Sequence, residues 1–318
     1  MVSSKKKLMK KILKGIAITI IIYITLSLVS TKIIYDSVFR HYSAKEPQSI
    51  ISENAQMMKM RKQFSYPCEN GSLTGHLYYA PQCKQGLIVL VPGFRAESIE
   101  YEGVINALTN KGFDVFAFNP TGHGKGSKGS SVGYAQIIKD VNSTLNFIDK
   151  SEMFLYDNIY LLGHSRGGYG ICCAMNGHGS IDAAVCINST DTSMDAIMAY
   201  STEYAGNAAY ANYPFLSMYE SILFGSDLSS SSAVRHINKS DIPIFVIQAQ
   251  NDEHISKDKY SLYSKMDEIT SKKAEFLLYN KNGSDGHTSI LYDKNRIANQ
   301  DIIDTIVSFY EKYSNEKE

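Results

Sequence analysis

The stretch Ile159-Tyr160-Leu161-Leu162-Gly163-His164-Ser165-Arg166-Gly167-Gly168-Tyr169-Gly170-Ile171-Cys172-Cys173-Ala174-Met175 decides how this chain is read. Four apolar residues run into a glycine-flanked serine, and a small-residue segment follows. The order is strand, very tight turn, helix. Glycines two before and two after Ser165 allow the backbone to turn without Cβ clashes. The turn lifts the serine Oγ above the sheet, and the helix start behind it offers backbone N–H groups and a positive dipole end. A serine held in this way suits attack on a carbonyl carbon, with the N–H of Arg166 placed for the developing oxyanion.

The pattern alone is not selective. Gly129-Ser130-Ser131-Val132-Gly133 matches it equally well, but no apolar strand leads into it, so Ser131 reads as a loop residue. Gly124-Lys125-Gly126 followed by Gly129 fits a dinucleotide fingerprint after a strand. That fingerprint needs a ribose-binding acid at the end of the next strand, whereas here the next strand ends in the serine turn.

Around this turn the chain alternates between strands and helices. Phe64–Tyr66 and Leu73–Tyr79 form a hairpin signature around Glu69-Asn70-Gly71-Ser72. Leu87–Val91, Asp114–Asn119, Ala183–Asn188, Ile244–Ile247 and Glu275–Tyr279 read as further strands. Helices are expected at about Ser98–Lys111, Tyr134–Lys150 and Ile297–Tyr313. The pattern predicts an α/β fold with a mostly parallel central sheet covered on both faces.

An acid and a histidine are then sought in loops past the carboxyl ends of later strands, where open α/β sheets build their sites. Asp252 follows the strand Ile244–Gln248, and His287 follows the strand ending at Tyr279. The chain order Ser165, Asp252, His287 is that of a nucleophile, an orienting acid and a base. Asp285 is a rival acid two residues before His287. His254 is expected at the surface, His164 packed beneath the turn, and His123 in a glycine-rich loop.

Together these segments resemble the α/β-hydrolase superfamily from about Phe64 to Tyr313, near its serine aminopeptidase and monoacylglycerol-lipase-like branch. Val91-Pro92-Gly93-Phe94 is similar to that family's oxyanion loop, and Asn119-Pro120-Thr121-Gly122-His123-Gly124 to its D-x-R-G-H-G segment. Pro92 stands where the family has a histidine, and Thr121 where it has an arginine. The resemblance implies the N–H of Phe94 as second oxyanion donor, no cofactor and no metal.

Residues 189–241 separate two strands by far more than an ordinary crossover. Tyr200, Tyr204, Tyr210, Tyr213, Phe215, Met218, Tyr219 and Phe224 give them the character of a small cap over an apolar pocket; one more packed helix pair would read the same way. An acyl chain or aromatic ester suits such a cap better than a polyanion.

The N-terminus has a different character. Lys5, Lys6, Lys7, Lys10, Lys11 and Lys14 precede an uncharged run from Gly15 to Ser30, which Ile12, Leu13, Ile33 and Ile34 extend to spanning length. The chain is neutral overall, so everything past those six lysines carries more acid than base, which argues against nucleic acid. Basic residues before the run predict a cytoplasmic N-terminus and an extracytoplasmic globular domain. No A-x-A-like site follows, so an uncleaved signal-anchor is expected rather than a cleaved signal peptide. The expected organisation is a tail and transmembrane anchor over 1–34, a tether over 35–62 and the hydrolase domain over 63–318. Of the five cysteines, Cys172, Cys173 and Cys186 read as core residues, and only Cys68 and Cys83 could pair.

The expected activity is hydrolysis of a carboxylic ester or thioester through an acyl-enzyme on Ser165. A serine peptidase of the same fold and a catalytically silent interaction protein are the alternatives. Oligomeric state is left open.

Overall fold

Leu87, Val89 and Val91 point to one side of their strand and Ile88 and Leu90 to the other, and all five are buried. Such a strand has no wet face and requires cover on both sides. A computed structural model, which describes residues 2–44, 61–69, 71–83, 85–124, 130–281 and 283–314, shows that cover.

The strands are β1 (Lys62–Cys68), β2 (Gly71–Tyr78), β3 (Gly86–Val91), β4 (Phe113–Asn119), β5 (Ile159–His164), β6 (Ile181–Ile187), β7 (Ile244–Ala249) and β8 (Ala274–Tyr279). They form one sheet in the order β1-β2-β4-β3-β5-β6-β7-β8. β1 pairs antiparallel with β2 and β2 antiparallel with β4; all later pairings are parallel. The helices are α1 (Val2–Val38), α2 (Glu102–Asn110), α3 (Gln136–Lys150), α4 (Arg166–Ala174), α5 (Ser193–Ala205), α6 (Ala209–Ser229), α7 (Ala233–Ile237) and α8 (Gln300–Ser314). One apolar core joins the sheet to α3 and α4, and the other joins its opposite face to α2 and α8. The doubly covered, mostly parallel sheet expected from the sequence is present.

Residues 189–241 fold as α5, α6 and α7. Thr192 opens α5 with a capping box: its Oγ1 accepts the N–H of Asp195, whose carboxylate accepts the N–H of Thr192. In α6, Gly225 leaves the helical region at φ 76°, ψ 165°, so this helix is broken near its end.

Cys68 and Cys83 are not joined in a disulfide. Cys68 lies at the hairpin end of β1, opposite Gly71, whereas Cys83 follows the far end of β2. Eight strand residues separate the two ends, on the order of 25 Å, so the pairing that the spacing allowed does not form.

α1 is the helix among the described residues that is long and apolar enough to cross a membrane. Its C-terminal part does not stand clear of the domain. Ser27, Thr31, Tyr35 and Phe39, spaced by four, are buried, while Ile16, Leu26 and Ile33 are more than half exposed. A four-residue spacing puts one stripe of the helix against a neighbour, and that neighbour is α6. Asn212 Nδ2 donates to Thr31 Oγ1 at 3.2 Å, Tyr23 Oη donates to the Ala211 carbonyl, and the Tyr35 and Tyr219 rings lie 4.8 Å apart.

Beyond the helix, the N–H of Ser131 donates to the Phe39 carbonyl at 2.8 Å, and that of Gly124 to the Tyr42 carbonyl at 3.0 Å. Residues 35–44, read from sequence as the start of a tether, are thus pinned to the domain. Residues 45–60 of that expected tether lie outside the described residues.

Candidate active site

Gly163 ends β5 and Gly167 sits in the first turn of α4. A Cβ on Gly163 would lie 2.6 Å from the Gly167 carbonyl oxygen, and one on Gly167 only 2.1 Å from that of Val91. The turn closes because both atoms are missing. Between them Ser165 adopts φ 53°, ψ −120°, a conformation that costs a non-glycine residue about 1–3 kcal/mol and persists only when its surroundings enforce it. The Ser165 N–H donates to the Ile187 carbonyl of β6 at 2.8 Å, one of the bonds that hold it there.

Ser165 Oγ lies 3.0 Å from His287 Nε2. His287 Nδ1 lies 2.9 Å from each carboxylate oxygen of Asp252. Three residues far apart in sequence, on the β5–α4 turn and the loops after β7 and β8, thus form one hydrogen-bonded chain. The Asp252 side chain is fully buried and that of His287 nearly so. Burial alone would raise the Asp252 pKa. The hydrogen bond and charge of His287 and the N–H groups of Ile255 and His254, at 2.8 and 2.9 Å, outweigh it and hold the carboxyl below its ordinary range. With Asp252 ionised, Nδ1 of His287 carries the proton and Nε2 is left to accept one from Ser165.

Asp285 is turned elsewhere. Its carboxylate accepts from Asn251 Nδ2 at 2.6 Å and its carbonyl from the Asn251 N–H at 2.9 Å. Ser131, the other serine with the motif, is buried against Phe39, to whose carbonyl its Oγ also donates. Gly124 of the fingerprint-like segment is bonded to Tyr42, and residues 125–129 lie outside the described residues.

A second network braces this chain from below. The Gly93 N–H donates to Tyr101 Oη at 2.9 Å, Tyr101 Oη donates to His164 Nδ1 at 2.7 Å, and His164 Nε2 donates to the His287 carbonyl at 2.9 Å. Burial, helped by the neighbouring His287, lowers the His164 pKa from 6.5 to about 3, so the ring is neutral. Because the carbonyl can only accept, Nε2 carries the single proton and Nδ1 accepts from Tyr101. Asn188, at the end of β6, donates to the same His287 carbonyl at 2.8 Å and accepts the Ala249 N–H at 2.7 Å. Glu253 accepts the His287 N–H at 2.8 Å. Nothing in the sequence marks Tyr101 or Asn188, because their roles depend on which strand ends become neighbours.

The β3 loop passes directly over the serine: a Cβ on Gly93 would lie 3.3 Å from Ser165 Cβ. This puts Phe94 beside the Ser165 turn. Arg166 opens α4, where N–H groups have no intrahelical carbonyl to meet. The Arg166 guanidinium has a separate position. It is buried, donates to the Tyr134 and Gly133 carbonyls, and lies under the Phe94 ring at 5.8 Å.

Above Ser165 lies a cavity of about 300 Å³, bordered by Phe94, Arg95, Glu100, His254 and Tyr292, with Tyr200 of α5 closing one side. His254, expected at the surface, has a side chain 39% exposed and also packs edge-on against the His287 ring at 5.1 Å. Among the described residues no group of His, Cys, Asp and Glu side chains is disposed to hold a metal.

The strand order, the serine turn and the loop over it all point to one fold, and the comparisons agree. The chain has the α/β-hydrolase fold. The family model described as serine aminopeptidase, S33, matches residues 82–201, which include the Phe94 loop and the Ser165 turn but neither Asp252 nor His287. An esterase from Pyrococcus furiosus superposes with a TM-score of 0.63 at 14% identity, over 86% of this chain and 99% of that one. A thermostable carboxyl esterase from Bacillus coagulans gives 0.58 at 15% identity, over 80% and 99%. An acylaminoacyl peptidase from Pyrococcus horikoshii gives 0.55 at 15% identity, over 83% of this chain and 44% of that longer one. No curated protein sequence matches.

Proposed function

We propose that this α/β-hydrolase is a serine hydrolase that cleaves a carboxylic ester, or a thioester, through an acyl-enzyme. The hydrogen-bonded chain from Ser165 through His287 to Asp252 carries this reading. His287 Nε2 takes the Ser165 proton as Oγ attacks the carbonyl carbon. Asp252 holds the imidazole in the required tautomer and stabilises its charged form. The N–H groups of Phe94 and Arg166 receive the oxyanion. The tetrahedral intermediate then collapses: His287 returns the proton to the departing alcohol or thiol, leaving the acyl group on Ser165. Water, deprotonated by the same histidine, releases the acid and restores the serine.

The peptidase alternative is favoured by the description of the matching family and by the acylaminoacyl peptidase neighbour. An aminopeptidase needs an acid to receive the substrate's ammonium group. Glu100 borders the cavity, but its carboxylate already accepts from the Glu97 N–H at 2.9 Å and from Tyr42 Oη at 3.2 Å. That engagement favours an ester. In this reading residues 1–34 anchor the enzyme with its catalytic domain on the extracytoplasmic side.

A panel of p-nitrophenyl esters and aminoacyl p-nitroanilides, run on the full chain and on Ser165→Ala, tests the proposal. Ester turnover that disappears in the variant is expected. Amide turnover exceeding ester turnover would replace this reading with the peptidase one.

A further inference from the structure

A second cavity of about 50 Å³ lies beside the catalytic one, and Phe94 and Tyr200 border both. Its other walls are apolar. Ile197 comes from the cap helix α5, while Ile34, Val38 and Phe39 come from the end of α1. The Phe94 ring rests 5.4 Å from Phe39 and 6.0 Å from Tyr200. The helix read as a membrane anchor therefore forms part of the wall of the cavity that adjoins the one over Ser165.

The depth of the contact between α1 and α6 adds a second observation. Between Lys14 and Lys32 the helix is uncharged, a length of roughly 26 Å at 1.5 Å per residue and close to the thickness of a bilayer's hydrocarbon core. Tyr23, Ser27 and Thr31 fall within that length, and Tyr23 and Thr31 contact α6. An element packed against a helix at those positions meets lipid wherever it faces outward. The cap has the composition for this: no charged residue occurs between Glu203 and Glu220, and Tyr204, Tyr210, Tyr213 and Met218 are exposed there. Tyrosine is enriched at membrane interfaces. Lys259, whose ammonium lies 2.6 Å from Tyr210 Oη, borders this surface.

We infer that the end of α1 and the cap helices together form the acyl site of this enzyme, and that its substrate is a bilayer-resident fatty acyl ester whose chain enters between α1 and α5. The inference rests on the ester-hydrolase reading above. The small volume of the groove encloses only the carbons nearest the carbonyl, and the rest of the chain stays in lipid. On this account α1 builds specificity as well as tethering the enzyme.

The test uses the full chain in phosphatidylcholine vesicles with two alkyl fluorophosphonates, one ethyl and one dodecyl, the latter carrying a diazirine near its phosphorus end. Phosphonylation forms the Oγ–P bond on Ser165 and expels fluoride, its proton leaving through His287. The dodecyl probe should react at least tenfold faster. Illumination should then cross-link it to peptides containing Ile34–Phe39 or Ile197–Ser201. Val38→Trp and Ile197→Trp should lower the dodecyl-to-ethyl rate ratio about tenfold, and Val38→Leu should restore it. Cross-links confined to the opposite wall at Thr288–Tyr292, or equal rates for the two probes, would overturn the acyl site while leaving the hydrolase intact. If neither probe labels Ser165, the hydrolase reading itself falls and takes this inference with it. The wild-type cross-link decides the matter even where a tryptophan variant fails to fold.

Discussion

The two sides of the catalytic cavity are built by different physics. On the triad side, strand ends and the loops beyond them are joined by directional hydrogen bonds: Ser165 to His287, His287 to Asp252, and Gly93 through Tyr101 and His164 back to the His287 carbonyl. On the cap side, α1, α5 and α6 meet through apolar and aromatic side chains, with one buried acid among them: Glu220 accepts Tyr35 Oη at 2.8 Å and the Ala135 N–H at 3.0 Å. The first side fixes atoms to within tenths of an ångström, as proton transfer requires. The second encloses volume, excludes water and tolerates variation in shape. The chemistry should therefore be sensitive to single atoms on the triad side, and the choice of substrate to bulk on the cap side.

The sharpest way to break this contrast is at the acid. Asp252→Asn keeps the shape but reverses the hydrogen-bonding preference of His287 Nδ1, and turnover should fall by ~10⁴, the loss known for the same change in a serine protease of another fold. Asp285→Asn should change kcat by no more than a fewfold, because its partner is Asn251. Steady-state kinetics with circular dichroism as a folding check separates the two. The reverse result would move the acid into the histidine loop.

Truncation probes the other side. Deleting residues 1–44 removes Tyr35 and Phe39 from the core, each worth about 1.5–3 kcal/mol, so the domain should lose several kcal/mol in chemical denaturation. Deleting residues 2–22 removes helix whose described side chains are exposed and should cost little stability in detergent. Equal stability of both truncations would show that α1 is only a tether.

A third change falls between the two sides. Tyr101→Phe leaves the Gly93 N–H and His164 Nδ1 without their partner in a buried site, and each such loss costs about 1–3 kcal/mol. Thermal unfolding should show it, together with a lower kcat, since the loop that carries Phe94 would shift.

A further effect is in the pH dependence of stability. Burial lowers the pKa of His164 from 6.5 to about 3, and those of His76 and His123 to about 4. These residues are neutral in both folded and unfolded chains above pH 6.5, so they contribute no slope there. Below 6.5 the unfolded chain takes up protons that the folded chain refuses, and stability falls with pH until the folded pKa is reached. Each histidine contributes up to about 1.4 kcal/mol per pH unit in that window. Urea titrations between pH 4.5 and 7.5 should show stability declining from near 6.5, well above the carboxylate range. A flat profile down to pH 5 would contradict neutral, buried histidines.

The same contrast explains what could be read in advance. The β5–Ser165–α4 turn, the alternation of strands and helices, and the positions of Asp252 and His287 past strand ends were legible because each has a local signature of glycine, apolar run or loop chemistry. Chain order and strand-end placement together favour Asp252, while Asp285, also past a strand end, stays a rival in the sequence and is separated from it only by the hydrogen bonds to His287. The uncharged α1 and the aromatic cap were visible as segments but not as partners. Helix packing depends on which stripes meet in space, and the Ser27, Thr31, Tyr35 and Phe39 stripe straddles the expected boundary between anchor and tether. Tyr101, Asn188 and the buried guanidinium of Arg166 carried no signal, since each acts on a residue brought close only by the sheet order.

The central claim is that Ser165, and not the other serine in the same motif, is the nucleophile activated by His287. Fluorophosphonate labelling of the full chain, with the adduct located by peptide mass spectrometry, tests it directly. The account predicts one adduct on Ser165, its absence in Ser165→Ala and in His287→Ala, and undiminished labelling of Ser131→Ala. An adduct that persists in Ser165→Ala would contradict it.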